Sequence, residues 1–207
     1  MPKGSQSYRH LVSRLAQLRK HLLPFLPDPP LPPLSRLSYT NAEFDSTRAY
    51  VVLSHAEIEA YCEELALRKA QGAKIQFDTN GVVQPVLRRM VGYYVARSGK
   101  SWDNVAAPPP DVVASATESF KSVIHGNHGV KINNLEKLFF PLGICDRHLV
   151  RLQTWLAQMN SFGERRGSFA HSSIGVQQQP DPLSQLTTVN QLLNGLEELD
   201  RIFGRLR

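Results

Sequence analysis

The 207-residue sequence predicts an all-α fold. Three observations carry that reading. Apolar residues recur at spacings of three and four along most of the chain, and no segment shows the strict alternation of a half-buried strand. Capping residues and prolines also fall where such stripes begin and end, and no internal repeat points to a solenoid.

The first stripe is Leu11, Leu15, Leu18 and Leu22, with Arg and Lys on the opposite face, so residues 8–23 predict an amphipathic helix ending at Pro24. The following run, residues 24–33, holds six prolines and cannot be helical, because proline lacks the N–H donor and restricts the residue before it. It reads as an extended connector whose apolar residues pack on the domain as a strap. From Asp45 or Ser46, both good caps, a long helix is expected to run to about Ala70 and stop at Gly72. In its first half apolar residues occupy almost every face, from Ala49 to Cys62, which marks a helix central to a bundle. His55, Glu57 and Glu59 interrupt that background. The simplest account of the three is a place at the rim or in structural hydrogen bonds; the functional account is that Glu59 orients an arginine elsewhere in the chain.

Residues 73–80 read as a polar connector, and Val82 to Arg97 as the next helix, with Pro85 tolerated in its first turn. A loop with three consecutive prolines follows, and Asp111 is expected to cap a helix from Val112 to about His125. His125-Gly126-Asn127-His128-Gly129 has two histidines three apart, but without a further Cys, His or acidic cluster this is a weak metal signal, and no metal or other cofactor is expected. Ile132 to Leu142 predicts a short helix opening at Asn133 or Asn134 and ended by Gly143. Asp146 is expected to cap the next one, striped by Leu149, Leu152, Trp155, Leu156, Met159 and Phe162. Asp181-Pro182 then gives an N-cap followed by proline at the first helical position, opening a last helix with a long stripe from Leu183 to Leu206.

Length suits one domain with an extension, divided here into residues 1–44, the N-terminal helix and connector, and residues 45–207, the helical domain. The net charge of +6 favours an acidic partner such as nucleic acid, and residues 1–21 and 86–100 carry bases without acids. Cys62 and Cys145 lack a CxxC spacing and read as buried free thiols. No signal peptide or stretch long enough to span a membrane stands out, so a soluble, cytoplasmic protein with no membrane partner is expected.

The candidate chemistry lies in Phe162-Gly163-Glu164-Arg165-Arg166-Gly167-Ser168-Phe169-Ala170-His171. Continuing the helical phase past Gly163 puts Arg166 in the middle of the apolar stripe and Arg165 towards its edge. His171 falls well round the helix from Arg166. Either Gly163 and Gly167 bend the segment, or the two side chains meet across a symmetric interface.

Together with Arg48-Ala49-Tyr50-Val51-Val52-Leu53-Ser54-His55 through Tyr61, the segment Asn133 to Ile144 and the Asp181-Pro182 opening, this stretch resembles the HEPN superfamily, most closely its RiboL-PSP-HEPN-like group. The resemblance spans roughly residues 45–207. It implies a helical bundle of four to five core helices that dimerises so that two copies of an Arg, four to six residues, His motif face one cleft. It further implies a metal-independent endoribonuclease of a prokaryotic toxin–antitoxin or anti-phage system, with RNA as substrate and an antitoxin or other regulatory protein as a further partner. Arg166 and His171 match the motif with four residues between, and Arg165 matches it with five. After the motif arginine, where such nucleases often carry a polar residue, this chain has Gly167; Glu164 or Ser168 is expected to supply a polar group instead.

RNA brings its own nucleophile, the 2′-hydroxyl, so the protein need only move protons and stabilise charge. An imidazole titrates near neutrality and serves as base or acid. A guanidinium grips phosphate oxygens with a bidentate fork. Two other readings keep the same scaffold: a catalytically silent HEPN module binding RNA, a nucleotide or a protein, and a structural dimer in which Arg166 merely pairs with a carboxylate such as Glu59.

Overall fold

The computed structural model describes residues 4–27, 39–99, 107–144, 148 and 150–206 apart from 172–178, with the side chain of His171 also outside the description. These residues form seven α-helices and no strand: α1 (Gln6–Leu22), α2 (Asn41–Asn80), α3 (Pro85–Arg97), α4 (Pro110–His125), α5 (Ile132–Phe139), α6 (Gln153–His171) and α7 (Pro182–Arg205). The all-α expectation is met.

Helix α2 organises the bundle. Its 40 residues make a rod of about 60 Å, and each of the other six helices packs against it. It starts earlier than expected. Thr40 and Glu43 form a reciprocal capping box, the Thr40 hydroxyl accepting from the Glu43 N–H while the Glu43 carboxylate accepts from the Thr40 N–H. It also ends later, because Gly72 does not stop it. Ala66, Ala70 and Ala73 continue the buried stripe through Gly72, Phe77 packs beyond them, and the chain leaves the helix only at Gly81, which is left-handed at φ 67°. Residues 73–80, expected as a connector, are therefore helix.

Burial on α2 is also less complete than the composition suggested. Tyr50, Val51, Ser54, His55, Ile58, Tyr61 and Cys62 face inward, whereas Leu53, Ala56 and Ala60 are exposed. Glu57 meets the rim expectation, its carboxylate lying 2.8 Å from Arg14 of α1.

Other boundaries shift for local reasons. Helix α3 opens at Pro85 rather than Val82, and α4 at Pro110 rather than Val112; both place proline in the first turn, where its missing N–H costs nothing. Helix α5 starts at Ile132 and tightens into a 3₁₀ turn at Phe140–Leu142, where Pro141 intervenes, before Gly143 ends it at φ 91°. Before α6 there is a 3₁₀ turn at Val150–Leu152. The expected Asp146 cap, Cys145 and most of the proline connector lie outside the described residues. At the connector's start Leu26 is buried, and Phe25 stacks edge-on against Tyr39.

Helix α1 packs on α2 and α7 of its own chain, and Leu11, Leu15 and Leu18 join the common core. Its N-terminus is fixed by Asp200 of α7, whose carboxylate accepts from the Ser5 N–H at 2.8 Å, the Ser5 hydroxyl at 2.7 Å and the Tyr61 hydroxyl at 2.9 Å. Among the described residues no helix is long and apolar enough to cross a membrane.

Candidate functional site

Helix α6 carries the candidate stretch, and it runs unbroken from Gln153 to His171. Gly163 and Gly167 therefore do not interrupt it. At about 100° per residue, position 171 stands about 140° round the axis from Arg166 and only about 20° from Glu164. One copy of the chain thus leaves Arg166 and position 171 on different faces.

Arg166 sits half-buried on the side of α6 turned to α2. Its Nε is buried and has no hydrogen-bond partner among the described residues. Two groups of α2 feel its charge. Glu59, expected to orient this arginine, has its pKa raised by burial and by the neighbouring Glu63, with Arg166, a hydrogen bond from the Gly129 backbone and His128 pulling the other way. His55 is lowered to about 4, first by burial and then by Arg166. Its Nδ1 lies 3.6 Å from Glu59 Oε2, beyond hydrogen-bond reach, and has no partner among the described residues. A neutral imidazole at that distance is not an ion pair. Its ring lies 5.9 Å from that of Phe162.

The loop between α4 and α5 completes this side, a placement that the sequence reading missed. Asn127, buried, donates its amide to Glu63 Oε1 at 2.8 Å and to the Gly129 carbonyl at 3.1 Å, and its own Oδ1 accepts from Asn134 at 3.0 Å. The loop is thereby locked against the carboxylates of α2. Its last residue, Lys131, lies beside Gly163: a Cβ placed on that glycine would meet Lys131 Cγ at 3.0 Å and Cε at 3.7 Å. Gly163 is thus the gap through which the lysine stem crosses α6. The faint signal in the sequence was the Gly126-Asn127-His128-Gly129 turn, read only for metal; among the described residues no three His, Cys, Asp or Glu side chains are grouped to hold a metal ion.

The supporting residues Glu164, Arg165 and Ser168 face elsewhere, onto a cleft of about 540 Å³ between α6 and the start of α7. Arg165 donates to Gln185 Oε1 at 2.8 Å, and Glu164 accepts from Asn160 at 2.8 Å. Phe169, Asp181 and Ser184 also line this cleft, with the Asp181 carboxylate capping α7 through the Ser184 N–H. Structure therefore brings Arg166 to Glu59 and His55, and gathers Glu164, Arg165 and Ser168 separately. Comparison with known proteins finds no matching family model, curated protein or solved structure.

Proposed function

We propose that the chain is a metal-independent endoribonuclease of the HEPN type, acting as a homodimer through Arg166 and His171 and belonging to a prokaryotic toxin–antitoxin or anti-phage system. The observation that carries the reading is Arg166. A permanently charged guanidinium is half-buried on the inner side of α6, with its Nε–H unpaired among the described residues, an arrangement that costs stability unless an anion offsets the charge. A phosphodiester supplies that anion.

The continuity of α6 supports a shared site, because a single copy sets Arg166 and position 171 on different faces and a second copy can supply the missing group. In such a dimer one His171 takes the proton of the 2′-hydroxyl and its mate delivers one to the leaving 5′-oxygen. Both Arg166 side chains stabilise the charge that builds on the phosphoryl oxygens. The products are a 2′,3′-cyclic phosphate and a 5′-hydroxyl.

A specific observation favours the alternative, a catalytically silent module: Glu59 already offsets part of the Arg166 charge inside the fold. Labelled RNA incubated with purified protein, Arg166→Ala and His171→Ala separates the two. The nuclease reading expects cleavage by the native chain that survives EDTA and is lost in both variants. Cleavage that stops with chelator and returns with a divalent ion overturns it; equal cleavage by native protein and variants marks a contaminant.

A further inference from the structure

We propose that Lys131 is a second phosphate-contacting residue of the Arg166 site, delivered by the α4–α5 loop across the gap at Gly163. This rests on the reading of Arg166 as a phosphate ligand and adds to it a cation that the motif does not contain.

Four structural features converge on this assignment. Lys131 is exposed, and its ammonium makes no hydrogen bond or ion pair with any described residue, although Glu59 and Glu63 lie under the same loop. Its stem is nonetheless guided, since Gly163 leaves room for it, and a Cβ there would crowd Lys131 Cγ at 3.0 Å. Gly163 and Arg166 are three residues apart in a continuous helix, about 60° in azimuth and about one turn in height, so the stem crosses α6 within one turn of the guanidinium. Finally, the loop is held by the Asn127 bonds to Glu63, Gly129 and Asn134, so the lysine starts from a fixed anchor.

Two cations about 60° apart on α6, one a planar fork and the other a point charge on a flexible stem, suit a phosphodiester backbone: the fork holds the central phosphate and the lysine contacts a neighbouring one. An isolated carboxylate ligand would use the fork and leave the second charge idle.

The test uses the full chain and a short fluorescein-labelled oligouridylate, 2′-O-methylated throughout so that binding is read without cleavage. Anisotropy titrations over a range of salt compare the native protein with Lys131→Met, Lys131→Arg and Arg166→Gln. Lys131→Met keeps the stem over Gly163 and removes only the charge. It is expected to weaken binding about threefold or more at moderate salt and to lower the log–log salt slope by about 0.7. Lys131→Arg restores both. If Lys131→Met binds as the native protein does while Arg166→Gln is weakened, the lysine contact is wrong and the arginine reading stands. If neither change weakens binding, or the native protein does not bind, the lysine proposal falls together with the phosphate reading of Arg166.

Discussion

His55 Nδ1 and Glu59 Oε2 stand 3.6 Å apart, one turn along α2, and the charge of Arg166 acts on both in the same sense, adding to the fall of the His55 pKa and partly restraining the rise of that of Glu59. The helix thus presents a neutral imidazole and a reluctant carboxylate to the arginine. Histidine at this position is only 3% exposed, so protonating it in the fold means placing a second cation beside a guanidinium in a dry setting.

Stability should therefore fall with acid in a window set by His55. The unfolded chain binds this proton near pH 6.5, the folded chain only near 4, so the loss accrues as pH drops between those values and reaches on the order of 3 kcal/mol. Glu59 works the other way: its folded pKa is raised, so its contribution to stability is present at low pH and lost as pH rises. Urea unfolding of His55→Gln from pH 7 down to pH 4 should give a visibly flatter profile than the native protein. Parallel profiles would mean that His55 is not buried as a neutral base.

Gly163 and Gly167, one turn apart on α6, should respond differently to alanine. No described residue lies within 4 Å of a Cβ at 167, so Gly167→Ala gains helix propensity and is expected to stabilise by about 1 kcal/mol and to leave the proposed oligouridylate binding unchanged. At 163 the same gain is offset by displacement of the Lys131 stem. Gly163→Ala should leave thermal stability within about 1 kcal/mol of native and weaken oligouridylate binding to the level of Lys131→Met. Unchanged binding in Gly163→Ala would show that the stem does not depend on the gap.

Much of this site follows from helical phase, which the sequence states directly. Arg166 falls in line with Leu152, Trp155, Met159 and Phe162, all buried, and no tertiary information is needed to see that it faces inward. The Thr40-to-Glu43 spacing was equally readable as a capping box, but Asp45 and Ser46 were stronger single-residue caps and hid it. Gly72 misled for a different reason. A glycine ends a helix only where the backbone turns left-handed and packing lapses, and here Ala70, Ala73 and Phe77 keep the stripe buried past it. The Asn127 loop could not be placed at all, since its partners Glu63 and Asn134 are joined to it by tertiary closure with no period to announce it.

Gly195 of α7 should show the opposite sign from Gly167. The indole of Trp155 lies directly on it, donating its Nε1–H to the Leu192 carbonyl at 3.0 Å, and a Cβ at 195 would collide with the ring. Gly195→Ala is expected to destabilise by about 1–3 kcal/mol despite better helix propensity, as the indole is forced off its hydrogen bond. A denaturation midpoint equal to or above native would sink this, and a blue- or red-shifted Trp emission would report the ring's displacement independently.

Asp200 should decide whether α1 stays docked. Its buried carboxylate collects the Ser5 N–H, the Ser5 hydroxyl and the Tyr61 hydroxyl, and its negative charge, after burial, holds the Tyr61 phenol well above its usual pKa. Asp200→Ala strands three donors around a void and is expected to cost about 3 kcal/mol, with hydrogen exchange accelerated across residues 6–22 before the rest of the bundle opens. Asp200→Asn should recover part of this, because its amide oxygen can still accept from the Ser5 and Tyr61 hydroxyls while its NH₂ group cannot accept from the Ser5 N–H. Tyr61→Phe removes one donor and leaves Asp200 satisfied by Ser5, so it should cost only about 1 kcal/mol and leave α1 protected. Protection of α1 that is equal in Asp200→Ala and the native chain would show that Leu11, Leu15 and Leu18 alone hold the helix, and that the carboxylate only sets where it begins.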